Sequence, residues 1–314
     1  MSLPESAPAT LAPAPAPIID AKDAANGVVA ALVAYLLWGF LPLLLHPLSE
    51  AGAVLVVAER TVYSLILLAI VLAITGKFGE VRAFLRDGRK VRVLALSSVL
   101  LAGNWLLYVY AVDANELLQA SFGYFINPLV NIAIGMVFLG ERQNKWQTVS
   151  IGIAVIAIGI QAAALGSVPY ISLGLAISFG LYGYFRKTAM LGPATGLFAE
   201  TLMIAPVALA YIGYNLVTVG VGVHSDPTML LLLVLTGPAT AVPLLLFAFA
   251  VQRLRLTTIG MFQYLAPSIQ FLIAVFLFHE EMNATRLVSF ALIWLSLMVF
   301  SWDSFRRRPR AVAA

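Results

Sequence analysis

Three charged residues, Glu59, Arg60 and Glu200, stand inside stretches otherwise built from Val, Leu, Ile, Ala and aromatic residues. At the centre of a bilayer such a side chain costs on the order of 2.5–3.5 kcal/mol by insertion scales, so its presence calls for a use. A carboxylate in apolar surroundings can take up and release a proton or meet a cationic group. Glu59 and Glu200 are therefore proton-coupling candidates. The alternative is that Glu59 and Arg60 neutralise each other and Glu200 holds a polar contact within its own half. Arg60, close to an interface, is expected to snorkel its head group to water.

Pro128 and Pro267 fall in the middle of apolar runs. A helix proline leaves the carbonyl four residues earlier without a donor, here at Tyr124 and Gln263. Within a membrane such carbonyls are tolerated only against protein or a water-filled cavity. The side chains around both prolines are polar on one face: Tyr124, Asn127 and Asn131 at i, i+3 and i+7, and Gln263, Pro267 and Gln270 on the matching run. Asn104 and Tyr108 share a face beside Trp105, and Tyr35, Trp38 and Pro42 form a similar stripe. With Tyr182 and Tyr264, these aromatic and amide groups are the substrate-binding candidates, suited to a small amphipathic molecule. The competing role for each is packing, with amides as glue between helices.

The elements that hold these residues follow from composition. The chain has 314 residues, 61% hydrophobic and 11% charged, with a mean hydropathy of +0.94. Soluble domains are roughly 45–50% apolar and about 25% charged. A soluble, disordered or disulfide-framed fold is excluded, and a polytopic membrane protein remains. The absence of cysteine removes thiol catalysis and thiolate metal sites. His46, His224 and His279 form no metal spacing and read as solvated groups in loops or at span ends. No cofactor is expected. No Ser-His-Asp set, HExxH or phosphate-binding glycine loop is present either, so the chain does not read as an enzyme.

About 20 apolar residues are needed to cross the hydrocarbon layer. Ten segments qualify, at about 27–46, 53–75, 93–112, 117–139, 147–166, 169–185, 194–217, 229–251, 256–278 and 286–302. With the N-terminus inside, 17 of the 19 Lys and Arg lie in inner segments, which puts both termini in the cytoplasm. The basicity thus reports orientation, not nucleic-acid binding.

An offset near 140 residues brings the second half over the first. Phe125–Pro128 with Glu141 matches Tyr264–Pro267 with Glu280; Ala58-Glu59 matches Ala199-Glu200; Trp38-Gly39 matches Tyr182-Gly183. Five helices are an odd number, so the second copy enters the membrane inverted. The expected organisation is a disordered Ala/Pro-rich tail (1–26), one five-helix repeat (27–166), an inverted second repeat (167–302) and a basic tail (303–314). The fold class is an all-α integral membrane protein of ten transmembrane helices. Inverted repeats of this kind mark alternating-access transporters with a site near the midplane.

Gly103–Leu107, the run Gly123–Asn131 leading into Phe138–Arg142, and Arg253–Leu256 with Phe262–Tyr264 closely resemble the RarD family. That family lies in the EamA group of the drug/metabolite transporter superfamily. The resemblance implies ten helices in two inverted repeats, the bacterial inner membrane and permeation of small molecules, with a drug-linked, phenicol-related label. Only one cation lies within the spans, which disfavours phosphorylated substrates. The expectation is a secondary transporter of small neutral or zwitterionic organic molecules, a metabolite or a phenicol-like compound. It is read as an exporter working by alternating access with proton coupling. An uptake permease and a non-transporting receptor or partner subunit are the alternatives. The expected partners are substrate and lipid, with monomer and homodimer both open.

Overall fold

The computed structural model describes residues 21–139, 144–165, 167–189, 192–251, 253–254 and 262–306. In these the chain is helical, and no strand occurs among the described residues. The helices are α1 (Ala21–Leu45), α2 (Ala53–Thr75), α3 (Phe78–Leu85), α4 (Gly88–Asp113), α5 (Leu117–Leu139), α6 (Lys145–Leu165), α7 (Tyr170–Ala189), α8 (Pro193–Thr218), α9 (Pro227–Val251), α10 (Leu265–Leu272) and α11 (Ala284–Arg306). A π-helical turn, Ile273–Leu277, continues α10. Seven helical segments among the described residues are long and apolar enough to cross a membrane by length and composition. Their outward faces carry large apolar side chains that water would not tolerate, such as Val217 at 86% and Ile74 at 81% exposure.

Every expected span falls on a helix, the ninth through its described part alone, since residues 255–261 lie outside the description. Two elements differ from expectation. Residues 21–26, assigned to the N-terminal tail, belong to α1: Ala21, Ala24 and Ala25 favour helix, and Asp23 sits in the first turn where the helix dipole suits it. The short helix α3 was not anticipated inside the basic connection; Val81 and Phe84 are its buried side chains, and the rest of it faces out.

Local chemistry sets the ends. Gly76 closes α2 in a left-handed conformation at φ 68°, its N–H on the Leu72 carbonyl. The Asp87 carboxylate accepts from the N–H groups of Arg89 and Lys90 and starts α4. Pro193 and Pro227 begin α8 and α9. The N-terminus of α5 is capped from far away: Glu280 accepts from the N–H groups of Leu117 (2.6 Å) and Leu118 (2.9 Å).

The packing pairs are α1 with α9 and α10, α2 with α8 and α9, α4 with α7 and α8, α5 with α7 and α10, and α6 with α11. Small polar side chains pin many of these pairs to backbone. The Ser172 hydroxyl donates to the Gln119 carbonyl at 2.7 Å, Ser121 to Pro267 at 2.8 Å, and Ser64 to Gly237 at 3.3 Å. Ser150 and Ser296 each donate to the other's backbone carbonyl, at 2.8 and 2.7 Å, joining α6 to α11. Trp146 and Trp302 meet edge to face in the same seam.

Close approach to another helix's backbone demands glycine at two places among the described residues. A Cβ on Gly237 would lie 2.5 Å from Tyr63 Cβ and 2.7 Å from the Tyr63 carbonyl carbon; one on Gly123 would lie 2.6 Å from the Ser172 carbonyl oxygen. Gly103, though in a helix, opens on empty space. Gly237→Ala and Gly123→Ala should each lower stability by about 1–3 kcal/mol through overpacking. Gly103→Ala should leave it unchanged or raise it. Thermal melting of the detergent-solubilised protein reads all three.

Burial pushes Glu280 up from its ordinary value to about 7, more than its two backbone hydrogen bonds pull it down. Between about 4.5 and about 7 the folded chain then holds more of this proton than the unfolded one. Its contribution to stability therefore falls as pH rises through that window and is level above it. The melting temperature should decline across the window, and Glu280→Gln should remove that part of the slope.

Candidate functional site

The three charges expected within the spans are all buried and are handled in three ways. Glu59, on α2, is bonded by His224 from the α8–α9 connection, Nε2 to Oε1 at 2.8 Å. Glu200, on α8, is fully buried and accepts from Ser97 on α4 at 2.8 Å and from the Tyr182 hydroxyl on α7 at 3.2 Å. Arg60 is 4% exposed and stays inside the bundle. Its guanidinium lies over the Trp105 ring, 4.8 Å from the centroid, and its Nε donates to Thr240 Oγ1 on α9.

Two expectations are corrected by this arrangement. Arg60 does not snorkel, because Trp105 and Thr240 hold it where it is, and it makes no ion pair with Glu59. His224 is not solvated: its side chain is 15% exposed and its ring closes onto Glu59. His46 likewise stacks on Phe278 with ring centroids 4.3 Å apart. Neither histidine contact could be read from spacing, since each partner comes from a connection or helix far along the chain.

An aromatic file joins the surroundings of Arg60 to those of Glu200. Trp105 and Tyr108 stand one turn apart on α4. Tyr108 lies 5.7 Å from Tyr124, Tyr124 lies 6.5 Å from Phe179, and Phe179 lies 5.9 Å from Tyr182, which bonds Glu200. Phe179 was not singled out in the sequence; its place shows only once α7 packs between α4 and α5. A second group gathers Tyr35, Trp38 and Phe247 with centroids 5.3–6.0 Å apart. Gln270 joins it through Nε2, which donates to the Trp38 carbonyl at 3.0 Å.

The amides divide. Asn104 donates to the Leu175 carbonyl and to Ser178 Oγ, tying α4 to α7. That is the packing role, so Asn104 helps position the file. Asn127 is 1% exposed, and neither amide atom has a partner among the described residues. The same holds for Tyr108 Oη, Gln270 Oε1 and Arg60 Nη1. Gln263 and Tyr264 are half-buried just before α10. Pro267 is not a mid-helix break: it is the third residue of α10, in the first turn where a helix N–H has no intrahelical partner, and its own carbonyl takes the Ser121 hydroxyl. The side chains of Asn131 and Pro128 lie outside the described residues. Among the described residues no group of His, Asp and Glu has metal-holding geometry.

Buried polar atoms without partners are rare in native proteins, since each forgoes a hydrogen bond in a medium that cannot replace it. Here they occur beside aromatic walls, which is the composition of a small-molecule site. Ser97→Ala and Tyr182→Phe each remove a hydrogen bond from the buried Glu200. Each should cost about 1–3 kcal/mol in a denaturation assay, and the double variant should cost less or more than the sum because both act on one carboxyl group.

Comparison with known proteins places this geometry in context. Residues 25–161 match the model of the EamA-like transporter family. A protein of Vibrio cholerae described as an uncharacterized transporter is 39% identical over 288 residues, covering 91% of this chain and 95% of that one. Protein RarD of Salmonella typhimurium is 39% identical over 295 residues, covering 91% and 98%. A Pseudomonas aeruginosa protein described as chloramphenicol-sensitive protein RarD is 27% identical over 288 residues, covering 90% and 95%. One solved crystal structure shares the fold at a TM-score of 0.60 and 17% identity, covering 90% of this chain and 99% of that one.

Proposed function

This chain belongs to the RarD family of EamA-like transporters and is a multi-pass membrane protein, and from that premise we propose that it exports small neutral or zwitterionic organic molecules by alternating access, with protons entering in exchange. The observation that carries the reading is the aromatic file between two differently held charges, Arg60 at one end and Glu200 at the other.

The halves 27–166 and 167–302 are read as inverted five-helix repeats with both termini in the cytoplasm. Reciprocal packing supports this. With α3 set aside and the remaining helices paired at the offset of the repeat, α1 on α9 corresponds to α7 on α4, α1 on α10 to α7 on α5, and α2 on α9 to α8 on α4. The contacts of α2 with α8, α5 with α10 and α6 with α11 are their own counterparts. A bundle of two like halves offers two arrangements of similar packing, one open to each side, which is the requirement of alternating access.

Hydrogen-bond accounting supports a proton on Glu200. The Ser97 hydroxyl faces two acceptors, the Leu94 carbonyl at 2.9 Å and Glu200 at 2.8 Å, and has one proton to give. It serves both without sharing only when the carboxyl group brings its own. Glu59 sits under a histidine at the opposite end, where a proton can pass from the connection to the bundle.

Reconstituted in liposomes, the protein should move a neutral or zwitterionic probe such as thiamphenicol when a pH gradient is imposed. Glu200→Gln should abolish gradient-driven flux by about tenfold or more while leaving probe exchange between equal concentrations, and Glu59→Gln should weaken it. Gradient-driven flux that survives in both variants would refute the coupling.

A further inference from the structure

The feature that the proposed function leaves unused is the cation. Arg60 is buried at 4% exposure with a ring of Trp105 over its face and Thr240 on its Nε, and its Nη1 has no acceptor among the described residues. A guanidinium carries five donors in a planar fork, and burying it without a counter-charge is costly. The carboxylate next to it in sequence, Glu59, is engaged by His224. Glu200 belongs to the far end of the aromatic file. Among the described residues the bundle thus supplies this buried positive charge with a hydroxyl and a π-face but no anion.

Two further side chains with unpartnered atoms, Tyr108 on α4 and Asn127 on α5, carry donors of the type a carboxylate takes. Tyr108, one turn from the Trp105 ring that covers Arg60, has a hydroxyl without a partner among the described residues, and the Tyr124 ring lies 5.7 Å from its own. Asn127, one turn from Tyr124 on the same face, offers both an N–H donor and a carbonyl acceptor, neither of them used. Counted from their helix ends at Ala53, Asp113 and Leu117, Arg60, Tyr108 and Tyr124 all lie about 8–10 Å in, at one level of the bundle.

We infer that Arg60 is the receptor for a single carboxylate on the transported molecule, with Tyr108 as a second donor and Trp105, Tyr108, Tyr124 and Phe179 as the walls for its apolar body. The inference rests on the transport reading of this site, keeps its zwitterions, and replaces its neutral molecules with monocarboxylate anions. One guanidinium matches one carboxylate in a two-bond fork. A dianion such as a phosphate monoester would bring a charge for which the spans hold no second cation. A neutral amide of the same shape fits the walls and gives Arg60 only a carbonyl.

The test uses the full-length protein in detergent and four probes of one shape: 3-phenylpropionate, its amide, zwitterionic phenylalanine and dianionic phenyl phosphate. Calorimetry should show the acid binding at least about tenfold tighter than the amide, the gain from a charge-assisted bond, and the phosphate weaker than the acid. The zwitterion against the free acid tells whether the physiological carboxylate carries an ammonium. Arg60→Gln should bring the acid to the amide's level and leave the amide unchanged. Tyr108→Phe, a milder change that keeps the ring, should weaken the acid several-fold and the amide little. Equal binding of acid and amide in the wild type, tightest binding by the phosphate, no binding by any acid, or an acid preference that survives Arg60→Gln would each overturn the assignment.

Flux of the same probes in liposomes separates the two readings. Acid preference in binding with no flux of any probe would overturn transport and leave the carboxylate site standing. Flux of amide and acid alike, untouched by Arg60→Gln, would overturn the site and leave transport standing.

Discussion

Inside a hydrocarbon layer a hydroxyl, amide or guanidinium has no water to turn to, and the arrangement of this bundle follows from how each such group is answered. Some are answered by backbone of their own helix, as Thr61 is by Val57 and Thr236 by Leu233, and others by backbone on a neighbouring helix. Ser172 reaches the Gln119 carbonyl, Ser121 the Pro267 carbonyl and Asn104 the Leu175 carbonyl, so the polar residues decide which helices touch and at what height. Apolar side chains alone would leave that choice open, because lipid is as good a neighbour for Leu as another Leu is. Among the described residues some groups are left unanswered, and Arg60, over the Trp105 ring, and Tyr108, one turn from that ring on α4, are two of them.

Helix positions were legible in the sequence because length and apolar content decide them: the second and fourth expected spans coincide with α2 and α5 at both ends. The helical content of residues 21–26 was hidden by the Ala/Pro-rich stretch before it, whose composition was extended a few residues too far. Within the site, residue types were legible and partners were not. Glu59, Glu200 and the stripe Tyr124–Asn127 announce themselves as polar groups in apolar runs. That His224 lies on Glu59, and that Arg60 is turned inward over Trp105, depends on how α2, α4 and α9 meet, which no local pattern encodes. The resemblance of Gly123–Asn131 and neighbouring runs to the RarD family identified the family and said nothing of these contacts.

The two buried carboxyl groups, matched in sequence, differ in environment. Glu200 is enclosed by a serine and a tyrosine of the bundle itself, while Glu59 is met by a residue of a connection. The His224 ring is carried by a short turn, Gly222–Ser225, and Ser97 stands in the middle of α4. On the proton coupling proposed above, exchange at Glu59 then depends on a connection and exchange at Glu200 on the helices themselves.

The mutual bonds of Ser150 and Ser296 have the form made by two identical surfaces meeting across a two-fold axis. In an assembly of two separate identical chains, every residue placed off that axis would appear twice, once on each side. Joining both halves in one polypeptide lifts that restriction. The position that answers Arg60 at the repeat offset is Thr201, whose hydroxyl is turned back onto the carbonyls of Leu197 and Phe198 of its own helix. On the inverted-repeat reading proposed above, a positive charge with a neutral counterpart is open to a fused chain and closed to a homodimer, and it gives the two halves a polarity along the path a cargo would take.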